Sequence, residues 1–227
     1  WSGNPDEDLR VCATASVYEC TTTLAAVARI LGDGEAEREM TARAAVIRTE
    51  FLREFYDPVA GVVRDAVAGY RQTHNVLALA AGLIPAADRH RVAAALAADV
   101  DGHRGGHLWT GALGTRRALQ MLDAHGHEDT AFRAATARDF PSWGWWRDQG
   151  ATTMWEYWDD QRSRNHYFFG TVDDWLGAPM FFSGHDPQTN RRLIADAGLD
   201  IQIDELVTMH EPEGDATFHW VMATRPH

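Results

Sequence analysis

A single glutamate lies inside the most aromatic part of the chain. Glu156 directly follows Trp155 in the segment 149–160, QGATTMWEYWDD, and Trp158 comes two residues later. Five of the nine tryptophans fall between positions 143 and 158. Carboxylates are among the side chains that transfer protons in catalysis, so this segment is the first candidate for a functional site.

Aromatic rings beside hydrogen-bonding groups are suited to sugars, because the C–H faces of a sugar stack on indole and its hydroxyls need fixed donors and acceptors. The polar groups available here are Glu156, Asp148, Gln149, Asn165 and His166. An alternative interpretation makes the glutamate a surface residue and places four tryptophans in the hydrophobic core, namely Trp143, Trp145, Trp146 and Trp155. Spacing alone leaves both interpretations open.

Apolar residues at helical spacing predict seven helices, joined mostly by short links. They are expected at residues 14–31, 35–56, 73–83, 88–100, 111–126, 128–140 and 165–176, with a loop or short hairpin at 59–71. The loops before residues 72, 110 and 149 carry polar and aromatic side chains, whereas the opposite turns are short and lack them. We therefore expect a ligand to bind at one end of the bundle.

The pattern changes after Leu176. One helix is predicted at 187–198, followed by strands at 199–209 and 216–224 that are separated by the turn EPEGD. The sequence thus predicts two domains, a helical domain over 1–176 and an α-β-β appendage over 177–227.

Charge and composition narrow the classes of partner. The net charge of −12 argues against nucleic acid and anionic membrane, since both attract clustered positive charge. No apolar run is expected to reach the roughly 20 residues that cross a bilayer. The opening residues, WSGNPDEDLR, lack a signal-peptide pattern, so a cytoplasmic location is favoured over secretion. The HGH at 125–127 is interpreted as a solvated turn rather than a metal site.

Several motifs resemble the C-terminal half of the catalytic domain of bacterial α-L-rhamnosidases, glycoside hydrolase family 78. The family patterns are G-x-L-G-T, Y-P-S-W, Q-G-A-T-T-I-W-E-x-W-D and N-H-Y-A-F-G. The matching stretches occur in the same order, at 111–115, 140–143, 149–159 and 165–170. Gln72-Thr73 and Trp1 also fit, so the resemblance covers residues 1 to about 176.

The resemblance implies part of an (α/α)₆ toroid and an inverting mechanism, in which one carboxyl group protonates the leaving oxygen and another activates water. Glu156 matches the family's general base, and His166 matches a residue near the bound rhamnose. The remaining substrate-binding positions implied are Asn165, Trp143, Trp155 and Trp158. No cofactor and no metal are expected.

One family motif is missing. The acidic motif D-C-P-x-R-D-E-R-x-G-W, which carries the general acid, does not occur in the 227 residues. The resemblance therefore implies a partial catalytic domain that keeps the general base and lacks the general acid. Asp65, Asp101 and Asp148 are the candidates for a second carboxylate by loop position.

The tail has a separate resemblance. Residues 178–224 are similar to the last helix and last two strands of class I S-adenosylmethionine-dependent methyltransferases. The glycine-rich loop that holds the cofactor in those proteins is not found after a strand here, so no cofactor site is expected.

Three functions are thus open. The leading one is an α-L-rhamnosidase-like hydrolase acting on a rhamnose-containing glycoside or oligosaccharide. The others are a non-catalytic carbohydrate-binding helical module and a methyltransferase-related fusion. Incomplete toroids expose apolar helix flanks, so we also expect either a homo-oligomer or association with the missing N-terminal half.

Overall fold

The computed structural model describes residues 9–66, 69–159, 162–166, 168–170, 186–211 and 214–224. Contacts divide the chain into two units, Trp1–Ala178 and Pro179–His227. The domain boundary predicted after residue 176 lies outside the described residues and stays a prediction.

The first unit begins with a long helical hairpin. Helix α1 (Leu9–Leu31) and helix α2 (Gly34–Phe55) pack along each other. Gly32 provides the sharp turn with φ of 75°, a left-handed conformation that glycine adopts without steric cost. The Asp33 side chain then caps α2 by accepting a hydrogen bond from the Ala36 N–H.

Helix α1 is more apolar than the sequence analysis expected. By length and composition it could cross a membrane, since an 18-residue window has a mean hydropathy of 1.2 and only 28% of that window is buried. A helix packed in a bundle meets the same criterion, and α1 does pack on α2. The expectation that no apolar segment reaches this length is nevertheless wrong.

A small antiparallel sheet follows α2, where a loop or short hairpin was predicted. It consists of β1 (Tyr56–Asp57), β2 (Val62–Asp65) and β3 (Gly69–Tyr70), with β2 in the middle. The buried Asn75 side chain bonds to both backbone groups of Val63, donating to its carbonyl (2.9 Å) and accepting from its N–H (2.8 Å). The Asn75 amide therefore holds β2 against the helix Gln72–Ala80, to which Asn75 belongs.

Two further helical hairpins complete the bundle. They pair α3 (Gln72–Ala80) with α4 (Arg89–Ala98), and α5 (Ala112–Asp123) with α6 (Glu128–Thr136). A 3₁₀ turn (Ala86–Asp88) precedes α4, and a π-helical turn (Asp99–His103) extends it. Because α1 contacts α3 and α3 contacts α5, the odd-numbered helices link neighbouring hairpins.

The hydrophobic core lies between these hairpins. One buried cluster joins α1, α2 and β2 to α3 and α4, and a second joins α3 and α4 to α5 and α6. Gly114 permits close packing of α5, since a Cβ there would lie 2.8 Å from Thr73 Oγ1. The prediction of a mainly α-helical domain built from hairpins is confirmed.

Two helix predictions need correction near the aromatic region. The helix predicted at 128–140 ends at Thr136, and an unpredicted short helix, α7 (Trp143–Asp148), begins after Ser142 caps it. The helix predicted at 165–176 is wrong over its described part, where only a 3₁₀ turn (Phe168–Gly170) occurs. Residues 171–176 lie outside the described range.

The second unit follows its predicted order. Helix α8 (Pro187–Asp196) is capped by Asp186, and β4 (Asp200–Glu211) pairs antiparallel with β5 (Gly214–Thr224). Asp204 on β4 accepts hydrogen bonds from Arg191 of α8 (2.5 Å) and shares a 2.7 Å contact with His219 of β5. These bonds lower the pKa of Asp204 to about 2, with Arg191 the largest cause.

Candidate functional site

Six aromatic rings form one packed cluster at the end of the bundle that was predicted to bind a ligand. We call it the aromatic cluster; its members are Trp143, Trp145, Trp146, Trp155, Trp158 and Phe169. Trp146 is 2% exposed and Trp155 is 4% exposed, so these two rings lie inside the protein. The ring centroids of Trp158 and Phe169 are 4.5 Å apart, and Trp143 meets Trp158 edge-on at 5.2 Å.

Indole hydrogen bonds hold the cluster to the backbone. Trp143 Nε1 donates to the carbonyl of Phe169 (2.9 Å), and Trp158 Nε1 donates to the carbonyl of Thr110 (3.0 Å). Trp146 Nε1 donates to the carbonyl of Trp158 (2.7 Å). Buried indoles need such partners, and here they bind the loop segments to α7 and to the residues preceding α5.

The start of α7 depends on a glycine. A Cβ at Gly144 would lie 2.2 Å from the Ala137 carbonyl oxygen, a distance that real Cβ atoms essentially never show. The chain after α6 therefore passes directly over the first turn of α7. This close approach positions Trp143 and Trp146 within the cluster.

Backbone hydrogen bonds bring Glu156 next to the later motif. The Glu156 N–H donates to the Ser163 carbonyl (2.9 Å), and the His166 N–H donates to the Met154 carbonyl (2.8 Å). The half-buried Glu156 carboxylate accepts a hydrogen bond from the Ser163 N–H (3.3 Å). Asn165 also contacts Ser163, by a bond from its N–H to Ser163 Oγ (3.3 Å). Three predicted site residues, Glu156, Asn165 and His166, thus lie in adjacent segments.

A cavity of about 100 Å³ opens beside the aromatic cluster. Its lining residues are Trp109, Thr110, Phe140, Tyr157, Trp158, Asp159 and Phe169. Typical sites for drug-sized ligands are larger, about 300–1,000 Å³, so this cavity is suited to a group no larger than a single ring. Of the predicted sugar-lining tryptophans, Trp158 borders it, whereas Trp155 is buried and Trp143 packs behind Trp158.

The sequence analysis did not select Trp109, Tyr157 or Asp159, although it noted the aromatic loop before residue 110. Identifying these residues as cavity lining requires knowing which face of each loop points toward the cavity. The Gln72 side chain positions Trp109, since its Oε1 accepts from the Trp109 N–H (2.7 Å) while its Nε2 donates to Asp99 (2.8 Å). Burial, and then the nearby charge of Asp99, raise the pKa of the Tyr70 hydroxyl.

The candidate second carboxylates are held by arginines. Asp148 forms a bidentate ion pair with Arg138 (2.6 and 3.2 Å), and Asp101 accepts a hydrogen bond from Arg133 (2.7 Å). Burial opposes ionisation of Asp101, but the bonds from Arg133 and Thr130 outweigh it and lower its pKa. Asp65 is buried and lies 3.4 Å from Arg10. Within the described ranges, no cluster of three His, Cys, Asp or Glu residues could hold a metal ion.

Comparison with known proteins places the chain in a family. Residues 1–180 match the model of the bacterial α-L-rhamnosidase six-hairpin glycosidase domain, so the chain belongs to that family. An α-L-rhamnosidase of Streptomyces avermitilis is 42% identical over 123 residues, which are 49% of this chain and 12% of that protein. One of Alteromonas sp. (strain LOR) is 27% identical over 96% of this chain and 25% of its own length.

Solved structures agree with the sequence relatives. The crystal structure of Streptomyces avermitilis α-L-rhamnosidase complexed with L-rhamnose superposes with a TM-score of 0.68 at 28% identity, over 96% of this chain and 22% of that one. The predicted toroid architecture and the resemblance of the first domain are thereby confirmed. This chain spans a quarter or less of the length of each relative named here.

Proposed function

We propose that the chain is part of an α-L-rhamnosidase-like glycoside hydrolase whose aromatic end binds a rhamnosyl residue. The observation that carries this proposal is the placement of Glu156 next to Asn165 and His166, one residue before the cavity wall of Tyr157 and Trp158. Membership of the rhamnosidase family and the likeness to the rhamnose-bound structure support it.

In the mechanism we propose, Glu156 accepts a proton from the attacking water, as the general base of an inverting glycosidase does. Its bond from the Ser163 N–H would orient the carboxylate. The Trp158 ring would stack on the apolar face of the sugar, and His166 and Asn165 would bind its hydroxyl groups. Trp155 and Trp143 would then act by holding these groups in place.

The experiment is calorimetric binding of an aryl α-L-rhamnoside, with hydrolysis measured on the same sample. If turnover occurs, Glu156→Gln should lower it by two to four orders of magnitude, the usual contribution of proton transfer. Glu39→Gln, at an exposed position on α2, is the matched control and should change nothing. Near-normal turnover by Glu156→Gln would remove this residue from the mechanism.

The expected activity is limited by the general acid, the second carboxyl group that the mechanism needs. An inverting enzyme needs two carboxyl groups about 6.5–9.5 Å apart. All three candidates for the second carboxylate, Asp65, Asp101 and Asp148, lie beside an arginine. We therefore expect the chain alone to hydrolyse α-L-rhamnosides feebly or not at all. This pairing also favours the second candidate function, a sugar-binding helical module without turnover, which the same calorimetry would detect.

We propose in addition that the chain self-associates through α1. A row of exposed residues runs along this helix at alternating spacings of four and three: Ala13, Val17, Cys20, Leu24, Val27 and Leu31. That spacing is typical of helices that pack side by side. Among the described residues, this row is exposed on the first of three helical hairpins.

The row is complementary to itself when two copies run antiparallel. Small Ala13 then faces Leu31, Val17 faces Val27, and Cys20 faces Leu24. Such an arrangement is two-fold symmetric, as most homodimers are. One 23-residue helix is about 35 Å long and offers less than the roughly 800 Å² per partner of a standard interface, so the dimer should depend on concentration.

Light scattering over a concentration series tests the association. Oxidised Leu24→Cys should form dimers in which Cys20 is linked to position 24 of the other copy, and Leu24→Ser serves as the control. A chain that stays monomeric, or a wild type cross-linked through Cys20 to Cys20, would contradict the antiparallel dimer. A monomer that binds a separately expressed N-terminal segment would identify that segment as the partner.

For the second unit, we propose a relation to the C-terminal end of class I methyltransferases. Its support is the order of α8, β4 and β5 and their antiparallel register. The residues do not fit a cofactor loop, because Gly102, Gly105 and Gly106 lie in or after a π-helical turn between helices rather than after a strand. We therefore assign the second unit no part in a methyl transfer.

A further inference from the structure

The cavity beside the aromatic cluster has walls from three separate segments of the chain. Trp109 and Thr110 come from the loop before α5, Phe140 comes from the segment between α6 and α7, and the remaining walls lie between positions 157 and 169. Such walls form a binding site only if contacts hold the segments at fixed distances. His107, which is 7% exposed, connects the first two segments.

The buried His107 ring binds the segment that carries Phe140. Its Nδ1 lies 3.1 Å from the carbonyl oxygen of Pro141. A carbonyl oxygen can only accept, so Nδ1 carries a proton and donates the hydrogen bond. Pro141 directly follows Phe140, and Ser142 then caps α7. One hydrogen bond therefore ties the loop before α5 to both a cavity wall and the start of α7.

A second contact of the same ring is weaker. His107 Nε2 lies 3.3 Å from Asp139 Oδ1, but the Asp139 side chain is 84% exposed. Ion pairs of exposed side chains contribute little, and this one also requires a ring that is protonated on both nitrogens. The bond to Pro141, by contrast, is buried, and a buried donor that loses its acceptor is left unsatisfied at considerable cost. The Nδ1 bond is therefore the one that should hold the segment.

The backbone of the same loop is held by α3. The His107 carbonyl accepts from Gln72 Nε2 (3.4 Å), and Gln72 Oε1 accepts from the Trp109 N–H (2.7 Å). The Thr110 carbonyl accepts from Trp158 Nε1 (3.0 Å), which joins a third part of the cavity wall to this loop. The loop is thus the point to which the other walls are bound, and the His107 ring links it to the segment before α7.

His107 itself stays behind the cavity wall. It is not among the described residues that line the cavity, whereas its neighbours Trp109 and Thr110 are. A group in this position does not touch a ligand and can act only through the residues that it holds. Phe140 belongs to the segment that it holds, and the Phe140 ring also meets the Trp145 ring edge-on at 5.1 Å. A displaced Phe140 would therefore change both the cavity and the packing against the cluster.

We propose that His107 is a positioning residue of the rhamnosyl site, which holds the Phe140 wall against the wall of Trp109 and Thr110 by donating from Nδ1 to the Pro141 carbonyl. This inference rests on the proposed function, because it takes the cavity to be the place where the rhamnosyl group binds. It assigns His107 no proton transfer and no contact with the sugar. The effect of His107 is on affinity, through the distance between two walls.

Calorimetric binding of 4-nitrophenyl α-L-rhamnoside to variants of the full chain tests this role. His107→Leu keeps a side chain of similar size and removes the donor, so the affinity should fall about tenfold or more, as expected for one hydrogen bond. His107→Asn places an amide N–H near the position of Nδ1, so the affinity should stay close to that of the wild type. His103→Leu, at an exposed histidine of the π-helical turn, is the matched control and should have no effect.

A measurement on the free protein checks the walls without a ligand. The Trp158 indole N–H bonds to the Thr110 carbonyl and therefore reports on the loop that His107 anchors. Its hydrogen exchange, followed by NMR, should accelerate about tenfold or more in His107→Leu and return toward the wild-type rate in His107→Asn. If thermal unfolding shows that His107→Leu does not fold, His107→Gln replaces it, because its longer side chain places the amide near Nε2 and away from the Pro141 carbonyl.

The outcomes separate the positioning role from the proposed function. Undiminished affinity in a folded His107→Leu, or a His107→Asn that binds as weakly as His107→Leu, would overturn the positioning role and leave rhamnoside binding intact. If the wild type binds no rhamnoside, the proposed function fails, and the exchange rates alone then decide whether His107 holds the walls. An exchange rate of the Trp158 indole that is unchanged by removal of the donor would overturn the positioning role in either case.

Discussion

The aromatic cluster and helix α1 are both rich in apolar residues, yet the rings at the centre of the cluster are buried and one face of α1 is exposed. In the cluster, Trp146 and Trp155 are almost fully buried and three indole N–H groups bond to backbone carbonyls. On α1, Leu24 is 55% exposed and Leu31 is 76% exposed. Apolar composition is therefore a poor guide to the core by itself. The difference lies in whether other parts of the same chain cover the residue.

This comparison also separates two kinds of function. The cluster is packed from residues of one chain and borders a small cavity for a ligand. The row on α1 is exposed among the described residues of the first unit and is suited to another helix. We expect substitutions in the cluster to change stability, and substitutions on α1 to change association.

The largest expected effect is at Trp146. Trp146→Ala should lower the free energy of unfolding by about 3–5 kcal/mol, because it removes a buried ring and leaves a cavity. Leu24→Ala, on the exposed row of α1, should cost less than about 0.5 kcal/mol in dilute solution. Urea unfolding of both variants is the measurement. Equal losses would show that α1 is covered in solution even at low concentration.

A smaller effect is expected at the start of α7. Gly144→Ala places a Cβ against the Ala137 carbonyl and should cost about 1–3 kcal/mol, the range for overpacking. Gly102→Ala is the matched control, since no atom lies within 4 Å of a Cβ at that glycine. The same unfolding assay reports both. If Gly144→Ala is neutral, the segment after α6 adjusts without disturbing the cluster.

The smallest expected effect is the response of the turn after α2 to low pH. Hydrogen bonds from the N–H groups of Ala60 and Val59, together with the charge of Arg64, lower the pKa of Asp57 below its ordinary value of 3.8. The stabilisation from this carboxylate is therefore complete above that value and is lost as the pH falls through the lowered pKa. Amide chemical shifts of residues 59 and 60 should follow this titration.

Asp57→Asn is the control for the acid response. It keeps an oxygen that can accept the two backbone hydrogen bonds, so the turn should persist while the titration disappears. A midpoint at or above the ordinary aspartate value in the wild type would mean that these bonds do not form in solution. Either result concerns the turn after α2 and leaves the conclusions about the aromatic cluster and α1 unchanged.

Local patterns were enough to predict most of the helices. Helical spacing and caps located six of the seven predicted helices of the first unit, and the tail pattern located α8, β4 and β5. They failed at residues 165–170, where the His166 N–H bonds to the Met154 carbonyl and a 3₁₀ turn follows at Phe168–Gly170. Local propensity could not reveal that competing partner.

The sequence by itself determined the mainly helical hairpin architecture, the family, and the proximity of Glu156 to the aromatic residues, because these follow from spacing and motif order. Only the tertiary structure decided which rings are core and which are cavity wall. Trp155 and Trp158 are three residues apart in one motif, yet one is buried and the other borders the cavity. The pairing of Asp101 and Asp148 with arginines and the stacking of Arg104 on Trp109 likewise depend on contacts between loops. Such contacts arise when separate segments pack together, and no local pattern encodes them.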